Sequence, residues 1–179
     1  CTNGMSMSDR GSALSNAAIV VTVTKEDTGP DLLGGIDFQR NIERMAFRAG
    51  GGEYKAPAQS VLSFIKKKTD RELPAVSYSN GVTPSRLEEF LPQWITTEMR
   101  IALEYFDKRM NGFISENGIF IGAETRTSSP LRILRGEDYQ SVSLNGLYPA
   151  GEGAGYAGGI VSSAVDGIRC ADAILKLKE

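Results

Sequence analysis

Gly146-Leu-Tyr-Pro-Ala-Gly-Glu-Gly-Ala-Gly-Tyr-Ala-Gly-Gly-Ile160 is the stretch on which the reading of this sequence turns. Residues 147–150 read as a brief strand entering a glycine cluster, and residues 160–178 as a terminal helix. Gly153, Gly155 and Gly158 fit G-x-G-x-x-G between a strand and a helix, the pattern of a dinucleotide-binding βα turn. The downstream residues argue against that assignment. Only 21 residues come after Gly158, and they read as one helix, with no second strand and no acidic residue to hold a ribose. The local physics survives the rejection. Glycines let a flat ligand approach the backbone. The next helix directs unpaired N–H groups and a positive dipole end toward whatever lies there. Glu152 stands just before that end, placed to accept hydrogen bonds from hydroxyl groups. A tight turn with glycines for packing explains the same residues equally well.

Upstream, residues 118–122 and 131–135 read as strands. Residues 92–109 give the clearest helix, with Ile95, Met99, Ala102, Leu103 and Phe106 in one stripe and Pro92 at the first helical position. Residues 36–49 show helical spacing at Ile36, Ile42, Met45, Ala46 and Ala49, stopped by Gly50-Gly51-Gly52. Residues 25–34 read as a turn-rich loop. Pro57 opens a segment suited to a short helix or strand, Lys66-Lys67-Lys68 reads as a solvated face, and residues 73–84 as loop. Ser85 and Glu88 form a capping-box pattern for a short helix at 85–91. Residues 17–24, Ala-Ala-Ile-Val-Val-Thr-Val-Thr, are β-branched and nearly continuous, which predicts a strand buried on both faces.

The 179 residues suffice for one domain, or for one plus part of another. Net charge is −2, which argues against a general affinity for nucleic acid or an anionic membrane. Apolar runs are far shorter than a membrane span. The two cysteines, Cys1 and Cys170, do not make a disulfide framework, so free thiols and a cytoplasmic location are expected. There is no histidine, which removes Ser-His-Asp and Cys-His catalysis, and no metal-ligand spacing is present. The opening Cys-Thr-Asn-Gly-Met-Ser reads as a chain entered mid-fold.

The stretch 147–160, followed by Ser162-Ser-Ala-Val-Asp-Gly167, resembles the C-terminal FAD motif of flavoproteins with two dinucleotide-binding domains. Thr2-Asn-Gly-Met-Ser6, Ser15-Asn-Ala-Ala18, Pro57-Ala-Gln59 and Glu124-Thr-Arg-Thr-Ser-Ser-Pro130 narrow the likeness. They are similar to uncharacterised bacterial FAD-dependent, or NAD(FAD)-utilising, dehydrogenases. The resemblance implies an α+β chain. Residues 17–117 would form a substrate or cap domain. Residues 1–16 and 118–179 would lend strands and the last helix to an FAD-binding domain whose N-terminal βαβ unit is absent here. It implies FAD, hydride transfer through the flavin N5 on an unidentified small substrate, and NAD(P)H as electron donor. Glu152 would hold the ribityl or pyrophosphate side. Gly158, Gly159 and Ile160 would offer backbone N–H groups to the flavin edge. Gly153 and Gly155 would keep the bend clear of side chains, and Tyr156 is placed to stack near the ring. Arg126 and Arg132 would hold an anionic substrate or a reduced, anionic flavin. Asn3, Arg10 and Gln59 are weaker candidates, read as structural. The partner expected is the N-terminal FAD-binding segment, and without it weak flavin binding, no activity and self-association are expected. Two other classes stay open: a stand-alone phosphate or nucleotide module at the glycine turn, and a non-enzymatic interaction domain.

Overall fold

A computed structural model describes residues 1–5 and 8–176. Ser6, within the Thr2–Ser6 motif, and the last residues of the helix expected to reach Lys178 lie outside the described residues. The chain divides into two compact units. The first comprises Cys1–Thr28 and Phe38–Thr125, the second Gly29–Asp37 and Arg126–Glu179.

The first unit is built on a three-stranded mixed sheet of order β2-β1-β3. β1 (Ala56–Ser60) is central and pairs in parallel with β2 (Val82–Pro84) and antiparallel with β3 (Ile119–Ile121). Around the sheet lie α1 (Lys25–Thr28), α2 (Gly34–Ala49, its first four residues counted with the second unit), α3 (Val61–Ile65), a 3₁₀ turn (Leu87–Glu89) and α4 (Gln93–Arg109). The helical stripes place Ile42 and Ala46 of α2, and Ile95, Met99 and Leu103 of α4, in one core with Phe64, Leu87 and Phe90. Removing such surface from water supplies the main drive for folding this unit.

Local chemistry explains where the elements stop. After α2, Gly51 and Gly52 take φ of +96° and +78°, and a Cβ on Gly50 would meet the Lys55 carbonyl. Thr83 and Ser85 hydroxyls donate to the carbonyls of Gly50 and Ala49, satisfying the end of α2 from the β2 side. Ser60 caps α3 by accepting from the Ser63 N–H. Asp70 ties that cap down, accepting from the Ser60 N–H and from both serine hydroxyls. Although burial opposes it, these donors hold the Asp70 carboxyl below its ordinary range. Gln59, fully buried on β1, donates to Lys68 O and accepts from Leu87 N–H, so the structure makes it a packing hub.

Three expected strands do not form. Residues 17–24 make no β-ladder: Ile19 and Val21 pack on the core, while Val20 and Val23 are exposed, 64% and 41%. A strand needs a neighbouring edge, and among the described residues this one has none. Residues 131–135 carry only an isolated bridge between Arg135 and Ser141, and residues 147–150 are irregular. The short helix at 85–91 is a single 3₁₀ turn, because the Ser85 hydroxyl is spent on Ala49 and Thr83 carbonyls rather than on a helix cap. Pro92 stands one position earlier than expected, as the N-cap of α4. Residues 25–28 make one helical turn inside the expected loop.

Candidate functional site

In the second unit the chain runs through the glycine bend into α5 (Ile160–Lys176). The glycines divide into two groups. Gly155, at φ +81°, lies against the backbone of the preceding segment: a Cβ there would sit 2.2 Å from Leu131 O and 2.9 Å from Arg132 Cα. Gly151, at φ +68°, lies over Ser163. These two are required by turn geometry and close packing. Gly153 has nothing within 4 Å of its Cβ position, and Gly158 meets only Ser128 Oγ at 3.8 Å. One part of the bend is therefore closed on protein and another is open. Glu152, Gly158, Gly159 and Ile160 are exposed at the start of α5.

The N–H of Gly159 donates to Ser162 Oγ, so the Ser162 hydroxyl satisfies this N–H from within the first turn of α5. The Ser163 hydroxyl is buried and has no hydrogen-bond partner among the described residues. That hydroxyl lies beneath Gly151 on the closed side of the bend, whereas a planar ligand such as FAD would meet bare backbone at the open glycines Gly153 and Gly158.

Tyr156 is engaged within the protein. The Arg135 guanidinium carbon lies 3.7 Å from its ring centroid and that of Arg132 5.1 Å. Its hydroxyl accepts from the Arg135 N–H at 3.1 Å. Arg132 is exposed and donates through Nε to Gly155 O. Arg126 is the first residue after the first unit, and Glu124 is exposed before it. Thr125 binds α2 through Gln39 and Glu43. Asn3 and Arg10 are exposed.

The most connected group of the unit was not foreseen from sequence. Arg135 makes a two-pronged ion pair with Asp166, at 2.6 and 2.9 Å, and donates to Pro149 O at 2.7 Å. Asp166 also accepts from the Gly151 N–H at 2.8 Å. Buried Cys170 has its Sγ 3.3 Å from Arg135 Nη1, and burial pushes its thiol pKa up. The signal lay in Asp166 itself, a carboxylate on the helix face that also carries Cys170, one turn further on. Its arginine partner, 31 residues away, had no signature. A shallow depression of about 420 Å³ between Glu137, Asp138, Arg169, Asp172 and Lys176 has mixed charge and lies open to solvent.

The Arg135 hydrogen bonds outweigh burial and lower the Asp166 pKa from 3.8 to about 2, with help from the Gly151 N–H. Because the folded value is the lower one, the stabilisation is complete above about pH 5 and disappears as pH falls through 4 toward 2. The shift corresponds to about 2 kcal/mol. Acid titration monitored by circular dichroism should show this loss in the wild type. Asp166→Asn should be less stable at neutral pH and flatter between pH 5 and 2. Parallel curves would mean that the pair contributes nothing.

Among the described residues no helix is long and apolar enough to cross a membrane. The helices and the three-stranded mixed sheet define a small mixed α/β chain. Residues 1–127 match the family described as "FAD-dependent protein, C-terminal domain-like", and the chain belongs to that family. The glycine bend lies beyond the matched residues. An uncharacterized protein of Clostridium beijerinckii is 44% identical over 178 residues, 98% of this chain and 33% of the relative. The chain thus spans about a third of the length of that relative.

Proposed function

We propose that this chain is the C-terminal portion of an FAD-dependent oxidoreductase, of the dehydrogenase type, that moves hydride between NAD(P)H and a small substrate. The observation that carries the reading is the open part of the glycine bend, facing the start of α5 in a member of an FAD-dependent family. When bound, FAD supplies a hydride acceptor at N5. The residues of this chain supply contacts and electrostatics. Glu152 accepts hydrogen bonds from ribityl hydroxyls. The backbone N–H groups of Gly158 and Ile160, at the positive end of α5, favour an electron-rich edge, and Gly153 leaves room for it. Gly159 joins them once Ser162 releases its N–H. Gly155 and Tyr156 shape the bend from behind. Arg126 and Arg132 offer positive charge to an anionic substrate.

The functional partition we propose gives residues 17–117 to substrate and residues 1–16 and 118–179 to the flavin. The compact units describe packing alone. The partner is an N-terminal FAD-binding segment. Surface chemistry supports a partner: Val161, Val165, Ile168 and Leu175 form a stripe along α5 and are 76%, 40%, 61% and 61% exposed. The opposite side of the helix is held by Asp166 and Cys170. An exposed apolar stripe on a helix whose other side is already packed is normally covered by a partner. The chain alone should accordingly self-associate, and Ile168→Glu should shift it toward monomer in light scattering. A monomeric wild type would count against a covered face.

The class is tested on the full polypeptide that carries this chain. A flavin absorption spectrum, bleached by NADH or NADPH, is the expected result. Glu152→Gln should weaken FAD retention by about tenfold, the loss of one charged hydrogen bond. A folded, purified protein that takes up no FAD on titration would remove the assignment.

A further inference from the structure

Arg135 and Asp166 join parts of the second unit that the glycine bend must hold in register. Asp166 sits on α5, less than two turns from the helix start. Its carboxylate receives the N–H of Gly151, the residue at which the bend begins. Arg135 sits on the segment that precedes the bend. Its side chain grips Asp166 with two nitrogens and Pro149 O with one of them, while its guanidinium lies over Tyr156 near the end of the bend and over Tyr139, 4.4 Å away. Its main-chain N–H donates to the hydroxyl of the same Tyr156. Both ends of the bend, Gly151 and Tyr156, are thus tied through one ion pair to α5. The side chains of the pair are only 9% and 12% exposed, so little solvent competes for these bonds.

We infer that Arg135 and Asp166 are positioning residues for the cofactor site: they hold the bend and the helix start in the alignment that the flavin edge meets. The inference rests on the FAD reading above. Neither residue touches the cofactor in this role. Arginine is required because its planar fork meets both carboxylate oxygens and stacks on an aromatic ring at once, and lysine does neither. The open glycines have no side chains of their own to fix them, so their direction is inherited from this pair. A helix start that turns away loses most of its attraction for negative charge, since the dipole effect fades within a turn. Reduced flavin carries more negative charge at that edge than oxidised flavin. Misalignment should therefore weaken binding of the reduced form more.

The test uses the FAD-loaded full polypeptide with Arg135→Lys and Asp166→Asn, and reads FAD affinity and the midpoint potential of the bound flavin. The expected result is weaker FAD binding in both variants and a potential more negative than wild type. A tenfold preferential loss of reduced-flavin affinity corresponds to about 30 mV for a two-electron couple. A purely architectural pair would lower the melting temperature and leave the potential of the flavin that remains bound unchanged. Asp166→Asn is isosteric and keeps an acceptor for Gly151, so it remains informative where Arg135→Lys does not fold. An unchanged potential in folded, FAD-loaded Asp166→Asn overturns the inference and leaves the FAD reading standing. A wild-type protein that takes up no FAD overturns the FAD reading first.

Discussion

Gly155→Ala should destabilise the second unit by about 2–4 kcal/mol, whereas Gly153→Ala, two residues earlier in the same bend, should stay within about 0.5 kcal/mol of wild type. The contrast comes from geometry. Gly155 has φ +81°, where an L side chain costs about 1–2 kcal/mol, and its new methyl would lie 2.2 Å from the Leu131 carbonyl oxygen. Backbone on that side cannot move as a flexible side chain can. Separation of the two segments would break the bond from the Ile133 N–H to Ala154 O and that from Arg132 Nε to Gly155 O. Gly153 has neither a positive φ nor a neighbour within 4 Å. Hydrogen exchange at the Ile133 amide reads the effect directly, because its partner sits next to the substituted glycine. Equal losses in the two variants would refute the division of the glycines into packed and open.

The second large effect lies in the first unit. Phe64→Ala should cost about 3–5 kcal/mol, a substantial part of the roughly 5–15 kcal/mol that holds an ordinary domain. Phe64 is fully buried and meets Phe120 of β3 edge to face, centroids 5.2 Å apart. Arg100 of α4 lies over its ring at 4.3 Å and donates through Nε to its carbonyl, while also pairing with Glu88. Alanine leaves a void among α3, α4 and the sheet, and removes the ring on which a mostly buried guanidinium rests. Trp94 fluorescence in urea should report an earlier midpoint with little change in slope. Tyr105→Ala, at a half-exposed position of α4, serves as the comparison and should cost under about 1 kcal/mol. A Phe64→Ala midpoint close to that of Tyr105→Ala would show that the ring is not central to this core.

These contrasts separate what sequence reading reaches from what it does not. Helices α2, α4 and α5 were legible within one or two residues at the ends the structure describes, because a helix bonds within its own segment and shows its buried face as a local stripe. Expected strands fared unevenly. Residues 118–122 found β1 as a neighbour and became β3, while residues 17–24, with stronger β-branched character, found no edge and stayed irregular. Composition told how well each suited a pleated surface, and only the arrangement of other segments told whether a partner was there. Gln59, a weaker ligand candidate read as structural from sequence, is buried and bonded between Lys68 and Leu87, partners that no local pattern named.

By itself the sequence determined the glycine bend, the helix after it, the two other long helices and the family likeness, all properties carried by neighbours along the chain. Tertiary structure alone decided which glycines are packed and which are open, and brought Arg135 to Asp166 across 31 residues. The physical reason is reach. Backbone propensity and helical periodicity act over a few residues, whereas a steric contact or an ion pair depends on a distance in space that no local pattern encodes.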